Sequence, residues 1–169
     1  MGLPAIDIGF MTDHLSAHEG VIAKLKMYHS MTQNGTLKKI LATQVTTMQK
    51  HVHTMLDLIY PSEGRPHSFA MDSSGHFSHE QHHHTEEDKH IALEAHSATK
   101  SMANSNFSSA LMMKDPHVKQ AHFKMAWEQA TLEKEYADLI ESMGWTYTPR
   151  VSSEKQMKTY YRYQHLLEE

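Results

Sequence analysis

The sequence contains no cysteine. Disulfides and thiolate metal sites are therefore excluded. The absence suits any redox compartment and selects none. No apolar run comes near the roughly 18–20 residues that a bilayer-spanning helix needs, so no membrane partner is expected. Lys and Arg are scattered through a chain of formal charge −4 and build no basic stripe, which argues against nucleic acid. The opening residues MGLPAIDIGFMTD lack a charged start followed by a long apolar stretch, so no secretory signal is expected. Catalytic signatures are missing too. There is no Gly-x-Ser-x-Gly elbow and no Gly-rich phosphate loop, and no catalytic residue is expected.

Two residue types are abundant instead: 13 Met and 16 His among 169 residues. Methionine with few β-branched neighbours suits helices and fills irregular cores. The length favours one domain, 1–169, able to bury a sizeable core. Residues 1–11, interrupted by Gly2, Pro4 and Gly9, read as an irregular N-terminal arm. Thr12 and Asp13 offer N-cap chemistry for a first helix over 13–33, with Leu15, His18, Ile22, Leu25 and His29 inward. After Asn34-Gly35, a second helix over 36–60 carries the clearest seam: Leu37, Leu41, Gln44, Met48, His51, Met55 and Leu58. Tyr60-Pro61 stops it.

Residues 61–85 lose all periodicity and are rich in Pro, Gly, Ser and His; they read as a long crossover. Thr85 to Asp88 resembles a capping-box start for a third helix over 86–113, with Ile91, Ala95, Ala98, Met102, Ser105, Ser109 and Met112 inward. Asp115-Pro116 opens a fourth helix over 116–143, whose seam is Val118, Met125, Leu132 and Leu139 with His122, Gln129, Tyr136 and Met143 beside it. Gly144 follows as its C′ residue. Trp127 and Trp145 read as core or rim anchors. Ser153 with Gln156 suggests a last capping box and a short helix over 154–167, within a tail of 150–169. Leu37-Lys38 and Asp57-Leu58-Ile59 recur at a constant offset as Val118-Lys119 and Asp138-Leu139-Ile140, so the two helical hairpins look duplicated. The expected fold is all-α: a ferritin-like antiparallel four-helix bundle with a long crossover loop and a short C-terminal helix.

A ferritin-like dinuclear centre takes Glu-x-x-His from two helices. Here the second helix has Met48 three residues before His51, and the fourth has Thr131 three residues after Glu128. The pattern therefore argues against an oxidative di-iron site. A reduced site is left. His18 and His51 lie equally far from the helix 1–2 turn on inner stripes and should face each other, with Glu19 flanking, so that one divalent ion could be held. The alternative is a pair of core histidines satisfied by Gln44 or by water. In a ferritin-style crossover the partners nearest that layer would be Asn106 and His122; otherwise they would be Glu94 and Glu135. His79, His82, His83 and His84, with His76 and His90, form a separate surface cluster that would bind Zn, Ni or Cu adventitiously.

The stretch DPHVKQAHFKMAWEQATLEKEYADLIESMGWTYTP resembles the coat-F family of bacterial spore-coat proteins. There an (Asn/Asp)-Pro turn opens a long helix that closes on a Met-x-x-Gly-Trp-Tyr-like tail followed by Pro. Here those elements are Asp115-Pro116, Met143-Gly144-Trp145, Tyr147 and Pro149, with nothing between Met143 and Gly144 and with Thr146 before the tyrosine. Glu19, Tyr28, Leu37, His51 and His53 of the first hairpin are similar in pattern, so the resemblance spans roughly residues 12–149. It implies a structural or assembly component of the endospore coat without catalytic activity. It also implies other spore coat proteins as partners, a homo-oligomer, and synthesis in the mother cell. The rival expectation is a ferritin-like metal-binding protein or metal-dependent oxidoreductase with its site near His18 and His51. No cofactor is expected on the first reading, a divalent metal ion on the second. The tail KTYYRYQHLLEE reads either as a helix packed across the bundle end or as an interaction surface, because Tyr and Arg favour interfaces.

Overall fold

A computed structural model describes residues 2–60 and 85–167. All regular structure among them is helical: α1 Ala5–Met31, α2 Gly35–Ile59, α3 Glu86–Met112, α4 Pro116–Ser142 and α5 Ser153–Tyr163, followed by a 3-10 turn Gln164–Leu167. None of these helices is long and apolar enough to cross a membrane.

Three of the four bundle helices start where their caps dictate. The Asn34 side chain accepts from Leu37 N–H at 2.9 Å. Thr85 and Asp88 complete a reciprocal capping box. The Asp115 carboxylate accepts from the N–H groups of His117 and Val118, with Pro116 at the first helical position. The exit of α4 follows from Gly144, whose φ of 67° suits glycine. Its N–H reaches Glu141 O and the Trp145 N–H reaches Ile140 O, a Schellman closure that lays Trp145 on the core.

Helix α1 departs from the sequence expectation. It begins at Ala5, so the expected irregular arm over 1–11 is largely helix, and Thr12 is no cap, since its hydroxyl donates to Ile8 O. The cause is Asp7. Its buried carboxylate accepts from the backbone N–H groups of Lys114 and Asp115 at 2.9 and 2.7 Å, pinning the first turn to the α3–α4 connection. Two smaller differences follow the same logic of local bonds. Ser152 rather than Ser153 caps α5. On α3 the buried stripe uses Thr99, Asn106 and Met113, while Ser105 and Met112 are exposed.

The helix directions follow from cross-helix bonds. Lys24 reaches Glu94 and His14 reaches Ser109, so α1 and α3 run antiparallel. Tyr136 reaches Gln44 and Glu128 reaches His51, so α2 and α4 do too. Helices α2 and α3 therefore point the same way, and Ile59 and Glu86 stand at opposite ends of the bundle. That is the crossover order of a ferritin-like bundle. The expected path of 61–85 along the bundle falls outside the described residues, save Thr85.

Two apolar clusters fill the core. One, toward the α1–α2 turn, holds Leu25, Leu41, Met48, Met102, Tyr136 and Ile140. The other, toward the α3–α4 turn, holds Met11, Met55, Met113, Val118 and Met125. On α1, α2 and α3 the polar residues His14, His18, His51, Asn106 and Ser109 fall between these two sets, and from α4 His122 meets His14, so the core is cut by a polar layer.

Candidate metal centre

Four imidazoles form that layer. His14 and His18 are one turn apart on α1 and share a face. His51 comes from α2 and His122 from α4. Exposure is 0% for His18 and His122, 2% for His51 and 6% for His14. The rings are close: centroids of His14 and His122 are 5.2 Å apart, those of His18 and His51 5.7 Å.

The hydrogen bonds fix which nitrogens carry protons, because a carbonyl or carboxylate oxygen can only accept. His18 Nδ1 donates to His14 O at 2.7 Å, which leaves a lone pair on His18 Nε2. His122 Nδ1 donates to Val118 O at 2.9 Å, which leaves one on His122 Nε2. His51 Nε2 donates to the Glu128 carboxylate at 2.7 Å, which leaves one on His51 Nδ1. His14 Nε2 pairs with Ser109 Oγ at 3.0 Å, where either group can donate.

All four rings are held neutral. Burial, and then the adjacent His122 ring, push His14 down to about 4. Burial also takes His18 to about 4, against the pull of the His14 carbonyl. Burial lowers His51 although Glu128 pulls the other way, and lowers His122 against the Val118 carbonyl. Neutral His51 therefore has one proton and two acceptors facing it, the Glu128 carboxylate and the lone pair of His18 Nε2. His18 Nε2 and His51 Nδ1 stand 3.5 Å apart with both lone pairs turned to the gap.

Further buried polar atoms in or near the layer have no protein partner: His122 Nε2, Asn106 Oδ1 and both amide atoms of Gln129. Antiparallel register places Asn106 level with His18, since Ser109 meets His14 one turn away. Gln129 lies two turns from His122 on the same face of α4. Orphans of this kind are uncommon in native cores and call for water or an ion.

Of the residues singled out in the sequence, His18 and His51 meet in this layer. Glu19 does not; it lies on the exposed side of α1, and the carboxylate beside His51 is Glu128. Gln44 bonds Thr99 and Tyr136 instead of the histidines. Glu94 pairs with Lys24, and Glu135 lines a groove beside Asn34 and Ser142, so neither joins the layer. His14 was missed, because its seam runs back through Met11 and Asp7 into the segment read as an arm. His90 is exposed on α3, and His76, His79, His82, His83 and His84 lie outside the described residues. Trp127 is 76% exposed and is no core anchor, whereas Trp145 packs on the core.

A ferritin-type dinuclear centre does not fit these residues. Among the described residues its bridging carboxylates have no counterpart, for the one carboxylate hydrogen-bonded to a histidine of the layer is Glu128, and it is spent on His51. Among the described residues no three His, Asp or Glu side chains are gathered into a ready cage for a metal ion. Among the described residues, two free ring nitrogens face each other at His18 and His51.

No protein-family model matches the chain, and no curated protein does. Among solved structures, the chain is similar to a crystal structure from Bacillus halodurans C-125 described as a "putative spore coat protein". The TM-score is 0.69 at 13% identity, covering 90% of this chain and 97% of that one. At that identity the likeness is one of fold alone, a helical bundle.

Proposed function

We propose that this chain is a structural or assembly component of the bacterial endospore coat and works by binding neighbours rather than by catalysis. The observation that carries the reading is the agreement of fold over nearly the whole of a protein so described, in a chain whose α4 exit resembles coat-F proteins. The geometry is compatible with such a role. Four helices supply a rigid body, and α5 with its following turn exposes Met157, Tyr160, Tyr161, Leu166 and Leu167. No residue of α5 is buried in its own chain. An amphipathic helix in that state is suited to contact another molecule, either a second copy or another coat protein.

A second reading, a metal-binding bundle or metal-dependent oxidoreductase, is favoured by one observation, the buried histidine layer. A third reading, metal buffering through the histidines of 76–90, concerns residues that, apart from the end of the segment with His90, lie outside those described. Expression of a fluorescent fusion during sporulation separates the readings. A ring around the forespore that persists on the mature spore is expected. A fusion that stays diffuse in the mother cell and is absent from purified spores would remove the coat assignment.

A further inference from the structure

The gap between His18 and His51 has the dimensions of a coordination site. An ion bound by two imidazole nitrogens at about 2.0–2.1 Å each, with a tetrahedral angle between them, holds those nitrogens about 3.4 Å apart. The observed separation is 3.5 Å, and both nitrogens carry the lone pairs that ligands require. Without an ion or a proton between them, those lone pairs repel. Each ring also shows the outer hydrogen bond that fixes a metal-binding tautomer: His18 to a backbone carbonyl, His51 to the Glu128 carboxylate.

We propose that His18 Nε2 and His51 Nδ1 bind one divalent transition-metal ion of the imidazole-preferring class, Zn, Co, Ni or Cu, in the bundle core. Water completes the coordination, and its protons go to acceptors otherwise left bare, His122 Nε2 and Asn106 Oδ1. The two acceptors without donors and the two facing lone pairs thus have one common solution. Glu128 acts as a positioning residue: it orients His51 and, at 36% side-chain exposure, lines the way in from solvent. The site is mononuclear and uses none of the bridging carboxylates of a ferritin centre. It is independent of the coat assignment and holds whether or not that assignment stands.

The test uses the full chain, tag-free, with His76, His79, His82, His83 and His84 replaced by Asn so that this histidine-rich segment does not contribute. Chelated protein is titrated with Co(II) and with Zn(II), read by calorimetry, by the visible Co(II) spectrum and by thermal melting. One ion per chain is expected, with a Co(II) spectrum of nitrogen and oxygen ligation and a rise in melting temperature. His18→Gln and His51→Gln should each abolish binding. Glu128→Gln should keep the stoichiometry and weaken affinity about 10–100-fold, as loss of an outer hydrogen bond to a ligand does. If the Gln variants fail to fold, the Glu128→Gln affinity and the Co(II) spectrum of the parent decide. No binding in the histidine-depleted chain, two ions per chain, or binding indifferent to all three substitutions would overturn the proposal.

Discussion

Asp7 and Asp88, 81 residues apart, make the same bond at opposite ends of the bundle. Asp7, in the first turn of α1, accepts from the Lys114 N–H at the α3–α4 connection. Asp88, in the first turn of α3, accepts from the Gln33 N–H at the α1–α2 connection. Lys114 follows Gln33 by the same 81 residues, as do the caps Asp115 and Asn34. Each hairpin thus sends a buried carboxylate into the turn of the other, as expected of a duplicated hairpin closed by two-fold pairing.

Removing either carboxylate should loosen both hairpins. Asp88 also accepts from the Thr32 hydroxyl and closes its own capping box with Thr85. Burial alone would raise its pKa, but these donors win and lower it. Asp88→Ala should cost roughly 2–4 kcal/mol, since bonds to a charged acceptor are worth about 1.5–3 kcal/mol and buried donors are left bare. Urea unfolding at neutral pH measures it. A loss under about 0.5 kcal/mol would mean that the turn is not held this way.

Core and surface of α4 separate sharply. Leu132 is 3% exposed in the seam, and Leu132→Ala should cost about 2–5 kcal/mol. Trp127, at 76% exposed, should tolerate Ala within about 0.5 kcal/mol despite its size. Thermal melts of the two variants in the reverse order would misplace the helix face.

Much of this was legible in the sequence. The seven-residue seams of α2 and α4, the Asp115-Pro116 start and the Gly144 exit each have a local cause, and each lies where its residues place it. The first turns of α1 were not legible, because Pro4 and Gly9 read as breakers. Pro4 in fact stands just before the helix, and Gly9 sits on its exposed side with nothing within 4 Å of an added Cβ. Tertiary bonds to Asp7 override the glycine's cost, and with that turn lost from view His14 was lost too. His18 and His51 were visible by their distance from a turn, and Asn106 and His122 as the partners that a crossover order would bring to their layer. Glu128 was not, because its bond to His51 needs the relative register of α2 and α4, which are joined by no short turn. Gly9→Ala should therefore stabilise the protein by about 0.5–1 kcal/mol, read as a higher urea midpoint with unchanged slope.

The histidine layer should make the chelated protein acid-sensitive in a defined window. In the unfolded chain these imidazoles bind protons near pH 6.5. In the fold His14 and His18 do so only at about 4. Between those values the unfolded state holds more protons, so stability falls as pH falls, by up to about 1.4 kcal/mol per pH unit for each histidine. Unfolding free energies measured from pH 7.5 to 4.5 should decline accordingly. The slope should flatten in His14→Gln, which removes one titrating group. An unchanged slope in that variant would assign the acid loss to the carboxylates.

Deletion of residues 152–169 bears most directly on the coat reading. The four seams of the bundle end before Pro149, and the Schellman closure at Gly144 with Trp145 on the core finishes the fold. Helix α5 buries none of its residues in its own chain, so the bundle loses no buried side chain when α5 is cut. The melting temperature of the shortened protein should stay within a few degrees of the parent, since changes below about 1 kcal/mol shift it by that little in a domain of this size. Association should change instead. Tyr160, Tyr161, Leu166 and Leu167 are exposed as a cluster of large side chains, the composition that interface cores use. Sedimentation of parent and deletion variant at matched concentration should show the parent associating and the variant shifted toward monomer. In sporulating cells the shortened fusion should be incorporated less well. If the deletion unfolds the bundle, α5 is a structural brace. If association and incorporation are both unchanged, contact with neighbours runs through another face.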